Sequence, residues 1–334
     1  MPVVERDARL LAAGAPALAA ALSDYVGEPT LVVLTGPGLA APPDARAVQE
    51  LPLVLAAPAP VDPTVAAALD LVLEGDQPER VTDGFLRAPA AATAAALLLR
   101  TPPATWWDGL VRESTTYSML QGSDEFRRWR AAQGTPQPAG DTGPRVRVAQ
   151  HGRVTELTLT RAARHNALDV AMRDELFAAL AAAEGPVVLL GEGPSFCSGG
   201  DLDEFGTFPD PALAHVVRLS RSLAGQCASR HDRLVVGLHG ASLGAGIELA
   251  AFACRVVATD DARVGLPELG LGLVPGAGGT VSLPRRVGRH RTLALLLHDG
   301  TISAPAALGW GLVDEVVPFD RLRSRCLELA ESLP

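Results

Sequence analysis

Between residues 145 and 268 the chain alternates short, almost unbroken apolar runs with stretches that repeat apolar residues at helical spacing, and few folds accept that order. The runs "PVVLLGEG", "LVVGLHG" and "CRVVATD" are separated by "DPALAHVVRLSRSLAGQCA" and "SLGAGIELAAFA". A strand without a polar face has to be covered on both sides, so these read as strands of a parallel sheet with helices packed against it. The segment opens with "RVRVAQHGRVTELTLTR", two strands around a His-Gly turn, and the helix "DVAMRDELFAALAAAEG" follows. The expected fold class is α/β, an arrangement of repeated ββα units.

A seam precedes this domain. In "AAQGTPQPAGDTGP", residues 131–144, proline, glycine and small polar residues replace every periodic pattern. The chain therefore divides into an N-terminal α/β-helical region at 1–130, a linker at 131–144 and a larger domain at 145–334. In the N-terminal region "PTLVVLTG" and "LPLVLAAP" read as buried strands, and "DPTVAAALDLVLEG" as a helix started by an Asp-Pro pair. The stretches "APAAATAAALLLR" and "TWWDGLVRESTTYSMLQGSDEFRRWRAA" read as helices. Their Trp106, Trp107, Tyr117, Phe126 and Trp129 are expected in core or interface rather than in a binding box. This region shows no nucleophile, metal cluster or phosphate loop.

Composition excludes several functions. The formal net charge of -9 argues against a nucleic-acid partner or a polybasic membrane anchor. All 29 basic residues are arginine, which rules out a lysine Schiff base and leaves guanidinium groups, backbone amides and helix ends to meet any anion. Cys197, Cys227, Cys254 and Cys326 have neither metal spacing nor a disulfide framework, as expected of reduced thiols in a cytoplasm. The first residues lack the order of a secretory signal and the apolar stretches are too short to span a bilayer, so a soluble cytoplasmic protein is expected.

Chemistry concentrates at two glycine-rich turns, each after an apolar strand. The first is "GPSFCSGGDL", residues 193–202; the second is the start of "ASLGAGIELAAFA", where a helix opens with Gly244, Ala245 and Gly246. Glycine permits close approach and positive φ, and first-turn helix amides have no intrahelical acceptor. Two such amides aimed at one oxygen would make an oxyanion hole. Glu248 lies one turn into that helix among Ile247, Leu249 and Ala250, and Glu268 follows a strand in "GLPELGLG". Two glutamates near one polarised carbonyl can hold a water, one accepting a proton while the other donates.

With these residues in hand, the second half, from about Val146 to Leu333, resembles the crotonase superfamily of enoyl-CoA hydratases and isomerases. "GPSFCSGGDLDEF" looks like its first oxyanion segment, the stretch from "GASLGAGIELAAF" to "LPRRVG" like its second segment and catalytic loop, and "TISAPAALGWGLVDEVVP" like the next helix and strand. The resemblance implies that the Gly200 and Ala245 amides polarise a thioester carbonyl and that Glu248 and Glu268 orient the water. It implies a CoA-binding side near "RAARHNALD", with Arg164, Asn166, Ser198 and Asp201 as candidates. It implies no bound cofactor and no metal, coenzyme A entering as part of the acyl-CoA substrate, and a homo-oligomer, trimer or hexamer. Cys197 has no catalytic role in this reading.

Three features depart from the family. Ala245 replaces the usual glycine, which is tolerable because the amide is the donor. "GGTVSLPRR" lacks the polar pair usual before "LPR". The closing helices that normally follow "DRLRSRCLELAESLP" do not follow here, whereas residues 88–132 have their look: an apolar helix, a "GL..E...Y..L" helix and a "SDEF" turn. The first half is therefore expected to be a degenerate partial unit whose helices replace that cap; an unrelated helical appendage is the alternative. The expected activity is syn hydration of a 2-enoyl-CoA, or its reverse. The alternatives are an isomerase or another crotonase-type lyase or hydrolase, and a non-catalytic acyl-CoA-binding subunit.

Overall fold

The structure is a computed structural model that describes residues 3–12, 20, 27–36, 51–74, 77–135, 143–298 and 300–334. The chain begins with β1 (Val3–Asp7), α1 (Arg9–Ala12), β2 (Leu31–Thr35), β3 (Val54–Pro58), α2 (Pro63–Ala66) and β4 (Leu71–Leu73). The four strands form one parallel sheet in sequence order. Side chains alternate across it, so Leu31, Val54 and Ala56 face the rest of the molecule while Val32, Leu34 and Leu55 pack with Val65 and Leu69 on the other face.

The helix expected over 62–75 is a single turn. Asp62 does cap it, accepting from the Thr64 amide at 2.8 Å. Beyond a bend the chain becomes β4, because Leu71 and Leu73 can pair with Ala56 and Pro58 of β3. Asp70 is drawn inward, its carboxylate accepting from the Leu55 amide and from two nitrogens of Arg100, all at 2.8 Å. Tertiary pairing here overrides local propensity.

Four helices follow: α3 (Gln77–Arg87), α4 (Pro89–Arg100), α5 (Trp106–Gln121) and α6 (Asp124–Ala132). Thr105 and Ser123 cap the last two through hydroxyl oxygens. α4 has no cap of its own and borrows Glu125 of α6, which accepts from the Ala90 and Ala91 amides. α6 runs to Ala132, the expected end of the helical stretch, and residues 136–142 of the expected linker lie outside the described residues.

The larger domain runs through β5 (Val146–His151), β6 (Val154–Leu159), α7 (Val170–Ala182), β7 (Val187–Gly191), α8 (Pro211–Ser220), α9 (Leu223–Ser229) and β8 (Leu234–Leu238). It continues with β9 (Ala241–Leu243), α10 (Ala245–Ala250), β10 (Arg255–Thr259), β11 (Arg263–Gly265) and α11 (Gly279–Leu297). It closes with β12 (Ile302–Ser303), α12 (Ala304–Trp310), β13 (Glu315–Val317) and α13 (Phe319–Glu331). The main sheet has the order β13-β10-β8-β7-β6-β5, parallel except for the β5–β6 hairpin at the predicted His-Gly turn, and β12-β11-β9 form a second small sheet. The stretch 210–228 is two helices because Ser222 starts a new one, its hydroxyl accepting from the Gly225 amide at 3.0 Å.

α13 covers the back of the main sheet, where Leu322, Cys326 and Ala330 meet Val188, Val235 and Val257. The front belongs to a core that both halves build: Leu157, Leu189 and Val236 share it with Phe85, Ala92 and Leu110. α4 packs along α11, and α5 along α8. No helix among the described residues is long and apolar enough to cross a membrane.

Candidate active site

β7 and β8 run parallel and deliver their carboxyl ends to one place, the usual location of a ligand crevice in such a sheet. The two glycine-rich turns that follow are stitched together. The Phe196 amide donates to His239 O at 2.8 Å, Cys197 to Ala241 O at 3.1 Å, and Leu243 back to Cys197 O at 2.9 Å. Phe196, fully buried, anchors the first turn in the core.

The backbone here has no room for side chains. Gly244 has φ 48°, and a Cβ on it would stand 2.5 Å from Glu268 Oε1 and 3.6 Å from Gly199 Cα. A Cβ on Gly200 would meet the Phe205 ring at 2.5 Å. Ala245 opens α10, so its amide is an orphan of the first turn. Neither the Gly200 nor the Ala245 amide donates to any acceptor among the described residues, and both residues line a cavity of about 380 Å³ together with Glu248 and Glu268.

Both glutamates are buried. Glu248 Oε2 accepts from the Ala277 amide at 2.7 Å and the Gly279 amide at 2.9 Å. Those bonds favour its charged form, but burial, then the facing Glu268 carboxyl, outweigh them and hold its pKa well above the ordinary range. Burial raises Glu268 to about 7, and its Oε2 has no hydrogen-bond partner among the described residues. The two carboxyls thus face one cavity, each held above the ordinary carboxylate range, with burial the largest cause for both.

The candidate nucleotide-side residues fare differently. Of Arg164, Asn166, Ser198 and Asp201, only Asp201 lines the cavity, and its carboxylate accepts from Arg161 at 2.6 Å. Arg164 lies half-exposed against Asp203 at 2.6 Å. Ser198 donates its amide to His165 O at 3.0 Å. Asn166 is fully buried and its side chain is spent on backbone, Oδ1 accepting from Arg161 N and Nδ2 donating to Glu192 O and Ser195 O. It therefore holds the loop and offers no side-chain atom to a ligand. Burial pushes the Cys197 thiol up to about 12, in keeping with its expected inertness.

The N-terminal half contributes Glu113, to which the sequence reading gave no role, and Tyr117, which is buried in the core as expected and also lines the cavity. Glu113 of α5 is buried and accepts from the Gly278 amide at 2.7 Å, the Thr280 amide at 2.8 Å and Thr280 Oγ1 at 2.6 Å. Burial, with Glu248 nearby, raises its pKa to about 8. One turn on, Tyr117 lines the cavity, its ring so close to Gly276 that a Cβ there would stand 2.7 Å away. Glu113 sits between Arg112 and Ser114 in sequence, without the apolar flanks that mark Glu248, so nothing local sets it apart.

A family model described as enoyl-CoA hydratase/isomerase matches residues 149–334. The 2,3-dehydroadipyl-CoA hydratase of Escherichia coli (strain K12) is 36% identical over 192 residues, 56% of this chain and 74% of that protein. Enoyl-CoA hydratase subunit I of Geobacillus kaustophilus HTA426 superposes with a TM-score of 0.52 at 30% identity, covering 56% of this chain and 74% of its own. A putative enoyl-CoA hydratase from Thermobifida fusca YX, solved in complex with CoA, superposes with a TM-score of 0.51 at 31% identity, covering 56% and 77%. With its parallel sheet, paired glycine turns and buried glutamates, the chain belongs to the enoyl-CoA hydratase/isomerase family and is an enzyme of the crotonase superfamily.

Proposed function

We propose that the protein hydrates 2-enoyl-CoA thioesters, or dehydrates the corresponding 3-hydroxyacyl-CoA. The observation that carries this reading is the meeting of two unpartnered amides, Gly200 and Ala245, with two buried carboxyls, Glu248 and Glu268, in one cavity. The amides receive the thioester oxygen and stabilise the negative charge that develops on it, each such donor contributing about 3 kcal/mol. The ionised carboxyl of the pair takes a proton from water as the water oxygen bonds to C3. The π electrons move towards the thioester oxygen, and the protonated carboxyl then gives its proton to C2. One proton has entered the pair and one has left, so its net protonation is restored.

Helices α4 to α6 close the site in this reading. The parallel sheet β1–β4, followed by α3 and then those helices, supports regarding residues 1–130 as a partial unit of the same fold.

The test is the loss of enoyl-thioester ultraviolet absorbance over a panel of 2-enoyl-CoAs, with Glu248→Gln and Glu268→Gln beside the wild type. Each variant is expected to lose about 10²- to 10⁴-fold in kcat, the usual contribution of a positioned acid or base. A wild type that turns over none of the panel, or a variant that retains full activity, overturns the reading.

A further inference from the structure

Where α5 and α8 close the cavity, its wall turns polar. On α8, Val217 and Arg218 line it; on α5, Tyr117 and Gln121, one turn apart, face them. Arg218 Nη1 donates to Ser114 O at 3.2 Å, Ser114 Oγ at 2.8 Å and Ser118 Oγ at 3.2 Å, and its guanidinium carbon stands 4.3 Å from the centre of the Tyr117 ring. Every one of these partners is uncharged. Arg218 Nε and Nη2 donate to nothing among the described residues. Glu113, beside Ser114, has its oxygens committed to Gly278 and Thr280. Gln121 Oε1 is also buried without a donor.

A guanidinium cannot shed its charge, and holding one half-buried without an anion is costly. An alkyl tail packed against it would deepen that cost. Nε and Nη2 form the edge of the planar fork that matches a carboxylate with two parallel hydrogen bonds. Its place in the cavity also limits what can reach it. The Tyr117 ring packs against Gly276, and the next residue, Ala277, donates to Glu248, so Arg218 reaches the carboxyl pair's cavity across the Tyr117 ring and the 276–277 backbone. The phosphates of CoA are a whole pantetheine arm away from the thioester that this pair addresses.

We propose that Arg218, with Gln121 beside it, receives the distal end of the acyl group, and that the preferred substrates are 2-enoyl thioesters whose chain ends in a carboxylate. This rests on the enoyl-CoA reading above. It is tested with two 2-enoyl-CoAs of equal chain length, one ending in a carboxylate and one in a methyl group, assayed with the wild type and with Arg218→Met. The wild type should favour the carboxyl-ended substrate. The variant should lose about 10- to 100-fold in kcat/KM for that substrate, the worth of a hydrogen-bonded charge, and change little for the other. A wild type without preference, or one favouring the methyl-ended substrate, overturns the proposal even if Arg218→Met fails to fold. A variant weakened equally on both substrates assigns the guanidinium to CoA itself and also overturns it. If neither substrate is turned over, the hydratase reading fails, and binding of the two saturated analogues decides this one. Tighter binding of the carboxyl-ended ester, abolished in Arg218→Met, supports it; equal binding overturns it.

Discussion

Residues 277–280 are gripped from two sides, and the grips differ. Glu248 of α10 takes the amides of Ala277 and Gly279; Glu113 of α5 takes those of Gly278 and Thr280, with the Thr280 hydroxyl. Both carboxyls are buried and both titrate above the ordinary range. Glu248, however, faces a second carboxyl across a cavity, whereas Glu113 is surrounded by donors that satisfy it. The first leaves a buried carboxyl opposed by another, which is costly. The second is an anchor, through which the N-terminal half becomes a wall of the active site. The same loop thus donates to the cavity-lining Glu248 on one side and joins the two halves through Glu113 on the other.

The largest test of that joint is to remove it. Deleting residues 1–140 strips the front core of Phe85, Ala92, Leu110 and Tyr117 and leaves the amides of Gly278 and Thr280 without an acceptor. The remnant is expected to be insoluble or unfolded, read as soluble yield and far-ultraviolet dichroism. A soluble remnant with full turnover would mean that the second grip is dispensable.

Next in size is the contrast between the two glutamates themselves. Glu113→Ala leaves three donors unsatisfied and should destabilise the protein by on the order of 3 kcal/mol, seen as a lowered Tm. Glu248→Gln removes a buried ionisable group that faces Glu268 and should leave Tm unchanged or raised while turnover collapses. Identical behaviour of the two variants would erase the distinction. The pH dependence follows the same logic. With a folded pKa of about 8, Glu113 holds its proton more tightly in the folded chain than in the unfolded one. Its contribution is therefore complete below the unfolded pKa of about 4.3 and is lost as pH rises, at about 1.4 kcal/mol per pH unit. The stability gap between the wild type and Glu113→Gln should narrow from pH 5 to pH 8.

The asymmetry between the two grips also marks how far the sequence could be read. The Glu248 side was legible because its parts are local: a strand, a glycine turn and a helix bearing one carboxylate among apolar residues. Glu268 stood twenty residues on, at the end of another strand. The Glu113 side was not, because 165 residues separate it from Gly278 and nothing local says that α5 caps another helix. Arg218 and Gln121 were missed for the same reason, since they acquire meaning only when α5 lies along α8. Asn166 shows the opposite difficulty: a polar residue spent on backbone and one offered to a ligand look alike until burial is known. The turn and strand at 67–73 were hidden because a short apolar run suits a helix as well as a strand until β3 supplies a partner.

Two glycines separate the grips at the scale of one methyl group. A Cβ on Gly279 would stand 2.8 Å from Glu248 Cγ and 3.0 Å from Oε2, whereas a Cβ on Gly276 would strike the Tyr117 ring at 2.7 Å. Gly279→Ala, whose Cβ would also stand 2.8 Å from Pro275 Cβ, should therefore displace the carboxylate and reduce kcat by about tenfold or more, beyond what its loss of Tm explains. Gly276→Ala should instead press on α5 and cost about 1–3 kcal/mol of stability, the usual range for overpacking. Tyr117→Leu in the same chain makes room and should return part of that loss, because the two substitutions meet at one contact and are not additive. If Gly276→Ala abolishes turnover at full stability and Tyr117→Leu restores nothing, the loop answers to Glu248 alone. Restored stability would show that α5 bears on residue 276 as directly as Glu248 bears on residue 279.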